Sequence, residues 1–123
     1  MKANYLKTAY FESGKDGKFH EKNLPKQAQF SPVFTITPID YDNDGHKDLL
    51  LCGNINQARL RFGKYDANYG TLLKGDGKGN FTYIPQNVSG FRLKGDVRSV
   101  IDLNNTLLFG INQQKVKAYQ LRK

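Results

Sequence analysis

Tryptophan is absent from this chain of 123 residues, cysteine and methionine occur once each, and histidine occurs twice. A lone Cys52 closes no internal disulfide, and its place inside the apolar run Leu49-Leu50-Leu51-Cys52 marks it as a buried, inert thiol. His20 and His46 read as solvated side chains rather than as a catalytic base or a transition-metal pair. No serine or cysteine stands in a G-x-S-x-G nucleophile motif. Gly75-Asp76-Gly77-Lys78-Gly79 lacks phosphate-loop spacing and runs into Phe81-Thr82-Tyr83-Ile84, which reads as a strand and not a helix. The expectation is therefore a protein that is not an enzyme. No apolar stretch approaches a membrane span, no window holds a helical period, and Met1-Lys2-Ala3-Asn4-Tyr5-Leu6-Lys7 lacks the apolar centre of a signal peptide.

Twelve glycines, seven tyrosines and eight phenylalanines favour strands joined by tight turns. An apolar content of 38% is lean but adequate for one domain over residues 1–123. The net charge of +8 raises the alternative of a basic protein that binds nucleic acid. The basic residues are spread singly or in loose pairs, as in Arg59 and Arg61 or Lys115 and Lys117, which is also how a strand with one solvated face reads. The first reading is thus a solvated surface, with nucleic acid as the rival partner.

The densest chemistry lies in Asp40-Tyr41-Asp42-Asn43-Asp44-Gly45-His46-Lys47-Asp48. Four carboxylates alternate around one glycine, so that side chains at loop positions one, three, five and nine can converge while those between point away. Ca²⁺ takes six to eight oxygens at roughly 2.3–2.6 Å and suits such a loop. Gly45 allows the left-handed bend the loop needs. An EF-hand would require an acidic residue at position twelve, where Leu51 stands, so the loop is of another kind. Phe34-Thr35-Ile36-Thr37-Pro38-Ile39 before it alternates, and Leu49-Leu50-Leu51-Cys52-Gly53 after it is a short apolar run, so the loop is expected to join two strands. A polar hairpin turn without metal is the plain alternative.

Two kinds of segment occur twice. Asn4-Tyr5-Leu6 through Gly14-Lys15-Asp16-Gly17-Lys18-Phe19 parallels Asn68-Tyr69-Gly70 through Gly75-Asp76-Gly77-Lys78-Gly79-Asn80-Phe81, and Leu50-Leu51-Cys52-Gly53 parallels Leu107-Leu108-Phe109-Gly110. The separations, Phe19 to Phe81 and Gly53 to Gly110, are 62 and 57 residues. The fold expected is all-β, with a hairpin over about 4–24, a four-stranded unit over about 33–87 and three strands over about 95–121. Such units have the pattern of antiparallel propeller blades, about two of them, in a partial or open propeller. Only the first copy carries the acidic loop.

The stretch from Ile39 to Leu50, continued by Gly53 and by Tyr69 to Phe81, resembles the FG-GAP/VCBS repeat, a calcium-loop β-propeller blade found in integrin α-chain heads and in bacterial surface and secreted proteins. Arg61-Phe62-Gly63-Lys64-Tyr65-Asp66-Ala67-Asn68-Tyr69-Gly70 and Gly95-Asp96-Val97-Arg98 are similar to the C-terminal part of bacterial repeat proteins of the ASPIC/UnbV-associated group. The resemblance implies metal ligation by the side chains of Asp40, Asp42, Asp44 and Asp48 and the backbone carbonyl of His46, with a structural role for Ca²⁺. It also implies an extracytoplasmic setting, in the periplasm, on the cell surface or secreted, and a protein or glycan partner. A closed propeller has four blades or more, so the expected module either belongs to a longer propeller or closes as a homo-oligomer. Between Arg59 and Tyr69, the side chains of Arg61, Tyr65, Asp66, Asn68 and Tyr69 offer stacking faces and hydrogen bonds to a partner, or pack on a neighbouring blade.

Overall fold

The structure, a computed structural model, describes residues 4–54 and 69–121. Among them, strands β1 (Tyr10–Ser13) and β2 (Phe19–Lys22) form a hairpin. Strands β3 (Val33–Ile39), β4 (Asp48–Gly53), β5 (Thr71–Gly75) and β6 (Phe81–Ile84) form a four-stranded meander. Strands β7 (Val97–Leu103), β8 (Thr106–Ile111) and β9 (Lys117–Gln120) form a third sheet. All pairings are antiparallel, and no sheet closes into a barrel. The described residues are all-β apart from single helical turns at Lys26–Gln29 and Gln86–Ser89, each entered through a proline whose fixed φ suits a helix start. No described helix is long and apolar enough to cross a membrane.

The three sheets stack in chain order, with the middle one covered on both faces. Alternation on β3 turns Ile39 toward one side, and Pro38 is tolerated there because β3 is an edge strand with no ladder partner on its outer side among the described residues. On β4 the residues are almost all buried, as expected where neither face meets water. Leu50, Cys52, Leu72 and Ile39 pack against Val97, Leu107, Phe109 and Ile111 of the third sheet. Phe91, from the connection between the sheets, adds an edge contact to the Phe109 ring at 6.3 Å. On the other face, Leu51 and Leu73 pack with Ala28, Leu24, Phe81 and Tyr83. The first hairpin meets that face by laying Tyr10 edge-on against Phe81, ring centres 5.4 Å apart, and by donating a Lys22 hydrogen bond to the Lys78 carbonyl. Burying each of these aliphatic or aromatic side chains contributes roughly 1.5–3 kcal/mol.

Two of the hairpins share a backbone pattern. The turns 14–18 and 76–80 are both closed by the same bond, Gly14 N to Lys18 O and Asp76 N to Asn80 O, so the 62-residue offset holds position by position. The second offset needs correction. Both β3–β4 and β7–β8 carry a one-residue irregularity near their start, after Val33 paired with Gly53 and after Val97 paired with Ile111. Aligned on that irregularity, Gly53 corresponds to Ile111, and Cys52 to Gly110, one residue away from the pairing of Gly53 with Gly110. In a strand, one residue is the difference between the two faces of the sheet.

Candidate metal centre

Asp40-Tyr41-Asp42-Asn43-Asp44-Gly45-His46-Lys47 spans the gap between β3 and β4, and Asp48 opens β4. Gly45 has φ +83° and Asn43 φ +58°, left-handed conformations that fold the loop back on itself. Asp48 is the anchor. Only 1% exposed, it accepts the Tyr41 N–H on Oδ2 at 2.8 Å and the Gly75 N–H on Oδ1 at 2.9 Å, tying the loop's start and β5 to β4. Asp40 Oδ2 accepts the Gly45 N–H at 3.1 Å, which shapes the bend.

Carboxylate oxygens of Asp40, Asp42 and Asp48 all lie within 4.8 Å of one another. That limit is about twice a Ca²⁺–oxygen distance, so one ion can reach all three. Asp40 Oδ1 is buried and has no hydrogen-bond partner. A buried carboxylate oxygen in that state carries an uncompensated desolvation cost, which a cation in the cluster would remove. The donor set fits a hard, oxygen-seeking cation.

Asp44 is oriented differently. Its Oδ1 accepts the His46 N–H at 2.8 Å, and its Oδ2 lies 3.1 Å from Lys74 Nζ. The His46 N–H and then the Lys74 ammonium hold the Asp44 carboxyl below its ordinary range. Lys74 also donates a short hydrogen bond to Asp42. Paired first with Asp42 and then with Asp44, its ammonium is pushed above the ordinary lysine range. The repulsion among four close carboxylates is thus relieved in part by a side chain from β5, which the spacing of the acidic residues does not reveal. His46 is exposed, and its ring lies against Gly77 in the adjoining turn, where an added Cβ would come within 2.4 Å of Nδ1. At Gly75 an added Cβ would meet the Lys47 carbonyl at 2.2 Å, so only glycine lets β5 pass this close to the loop. Lys74 and Gly75 belong to the site, and no local pattern in the sequence points to them, because they lie more than twenty residues downstream.

The loop also borders an aromatic pocket of about 470 Å³, lined by Tyr41, Ser89, Gly90, Phe91, Tyr119 and Leu121. Tyr41 links the two, its N–H on Asp48 and its hydroxyl donated to the Val88 carbonyl at 3.0 Å. Of the partner-contact residues expected from the sequence, Arg61, Tyr65, Asp66 and Asn68 lie outside the described residues. Tyr69 is half-buried, its carbonyl accepts the Leu93 N–H at 3.1 Å, and it borders an open groove with Gln86, Asn87, Arg92 and Lys94. His20 is exposed on β2, beside the turn of the first hairpin, 3.0 Å from Asp16 Oδ2. Cys52 is buried, and burial alone pushes its thiol up to about 12. No protein-family model matches the chain, nor does any curated protein or solved structure.

Proposed function

We propose that this chain is a non-catalytic, calcium-stabilised repeat module of β-propeller type, which presents a binding surface to a protein or glycan outside the cytoplasm of a bacterium. The observation that carries the metal reading is Asp40: its Oδ1 is buried without a partner, and its carboxylate lies within reach of Asp42 and Asp48. Asp40, Asp42 and Asp48 would hold the ion, with Asp44 and the His46 carbonyl as further ligands implied by the resemblance to FG-GAP/VCBS repeats. The ion would supply charge neutralisation and hold the β3–β4 connection closed; it has no chemical step to perform. A stack of antiparallel sheets of two, four and three strands, with glycine turns in the first two, supports the propeller reading. The surface and periplasmic setting and the protein or glycan partner rest on the resemblance, and the Tyr41–Phe91–Tyr119 pocket offers aromatic faces suited to such a partner.

Thermal melting in calcium and in chelator tests this. At a loop affinity of about 10⁻⁴–10⁻³ M, 10 mM Ca²⁺ stabilises by roughly 1.4–2.7 kcal/mol, which raises Tm by several degrees. Lys74→Gln should bind calcium more tightly than the unmodified chain, since the ammonium competes for Asp42 and Asp44. Equal melting curves in both buffers for both proteins would remove the metal from the reading. The second reading, a nucleic-acid-binding protein, is favoured by the exposed Arg92 and Lys94 beside Tyr69 and by the net charge of +8. Affinity for arbitrary DNA or RNA that falls steeply with salt would select it.

A further inference from the structure

The three sheets are stacked in one sense, and the backbone equivalences show what each face meets. In the middle sheet one face, carrying Leu51, Leu73, Phe81 and Tyr83, is covered by the segment before it. The opposite face, carrying Ile39, Leu50, Cys52 and Leu72, is covered by the sheet after it. These are called front and back here. The third sheet obeys the same rule. Aligned on the shared irregularity, its Phe109 corresponds to Leu51, and Phe109 is on the face that meets the middle sheet. The first hairpin obeys it as well, because the 62-residue offset places Tyr10 at the position of Leu72, on the back, and Tyr10 meets Phe81 on the front of the middle sheet.

Two faces of this stack are left without a cover among the described residues, and they are of opposite kinds. The front of the hairpin bears Phe11 and Phe19, 51% and 73% exposed, at the positions where the middle sheet has Leu73 and Phe81. The back of the third sheet bears Ile101 and Leu103, both 55% exposed, and Leu108. Leu103 and Leu108 stand where the middle sheet has the fully buried Ile39 and Leu50. The strand register puts Ser99, Thr106, Gly110, Ala118 and Gln120 on that same back face, so none of the residues it assigns there is ionisable. On the hairpin front the one acidic residue, Glu21, is paired with Lys7 at 3.2 Å. In a protein of net charge +8, two largely apolar faces, one with its carboxylate already paired and the other with no ionisable residue in its strand register, are equivalent to the faces that form the two internal junctions. Water-facing antiparallel sheets place polar and charged residues outward, whereas contiguous apolar patches mark interfaces.

We infer that the occupant of each face is a second copy of this chain, joined head to tail: the back of one copy's third sheet against the front of the next copy's first hairpin. The internal junctions show that a front of this sequence pattern packs on a back of this sequence pattern. A second copy brings both at once, and the carboxylate on the hairpin front enters the contact already paired with Lys7. The contact is heterologous, so it grows to a ring if the rotation per copy closes and to an open chain if it does not. It stands independently of calcium.

Light scattering on size-exclusion fractions of the full chain, over a wide concentration range and in calcium, tests it. The unmodified chain should associate with rising concentration. Phe11→Glu with Phe19→Glu blocks the front, and Ile101→Lys with Leu103→Glu blocks the back. All four residues are exposed, so both variants should melt as the parent does, which circular dichroism checks. Each variant alone should be monomeric, and an equimolar mixture should give a dimer of one of each, because one free front and one free back remain. A monomeric parent at every concentration overturns the inference. So does self-association of the front-blocked variant alone, which would make the contact back to back.

Discussion

Strands β3 and β4 and strands β7 and β8 build the same ladder, with the same irregularity at one end, yet they are joined in unlike ways. Six pairs are formed in each, ending at Ile39 with Asp48 and at Leu103 with Thr106. The second connection is only Asn104 and Asn105, both with positive φ, the conformation of a tight type I′ hairpin turn. The first takes residues 40–47 to cover the same distance. A two-residue turn suffices to reverse this chain at this ladder, so the six extra residues are not there to make the turn. They bring carboxylates together, and their cost in loop closure is small, since each doubling of loop length adds about 0.6 kcal/mol. The comparison separates scaffold from site: packing of the apolar faces makes the ladder, and the acidic insertion rides on it.

The largest way to break that comparison acts on what the ladders share. Leu51→Ala and Phe109→Ala, at corresponding fully buried positions, should each cost about 2–5 kcal/mol, read from denaturant midpoints, with calcium present or not. If one proved neutral, the correspondence between the ladders would be lost. Next comes the pair Asp48 and Thr106, equivalent in register but different in duty. Asp48→Ala strands the Tyr41 and Gly75 N–H groups, a loss of roughly 2–4 kcal/mol, whereas Thr106→Ala should change stability by about 0.5 kcal/mol. Equal effects would show that Asp48 is no anchor.

Replacing residues 40–47 by Asn-Asn sharpens the contrast further. The shortened chain should keep its β-sheet circular dichroism and its cooperative melt, and should lose the roughly 1.4–2.7 kcal/mol of calcium stabilisation expected of the parent. A chain that fails to fold would make the acidic loop part of the scaffold. The smallest effect is that of acid on the turn beside the loop. Asp76 accepts hydrogen bonds from the Asn80 side chain and from the Lys78 and Asn80 N–H groups, which hold its carboxyl near 2 against an ordinary 3.8. A lowered carboxyl favours the folded state once ionised, so its contribution is complete above pH 3.8 and is lost as the pH falls through about 2. Asp76→Asn should flatten the melting temperature across that window, and the group's full exposure keeps the change small.

Much of the scaffold could be read from residues in a row. Alternation around Thr35 and Ile36 and the glycine turns at 14–18 and 76–80 are local signals, and each lies where the strands and hairpins form. The acidic spacing named Asp40, Asp42, Asp44 and Asp48 as one group, but not how the oxygens divide. Asp40, Asp42 and Asp48 converge while Asp44 turns to Lys74 and the His46 N–H. Matching Gly53 to Gly110 by residue identity missed the ladder by one, because identity says nothing of the irregularity that sets which side chains face which sheet.

Chain-local chemistry thus determined the β character, the turns and a loop crowded with carboxylates, since φ preferences and period-two patterning act between near neighbours. Tertiary structure decided that Lys74 reaches back to neutralise Asp42 and Asp44, that Gly75 admits the Lys47 carbonyl, and that Asp40 Oδ1 is buried without a partner. It also decided which apolar faces are covered and which stay open. Those outcomes depend on the stacking of segments tens of residues apart, and contacts at that range come from the packing of faces that no single stretch of sequence contains.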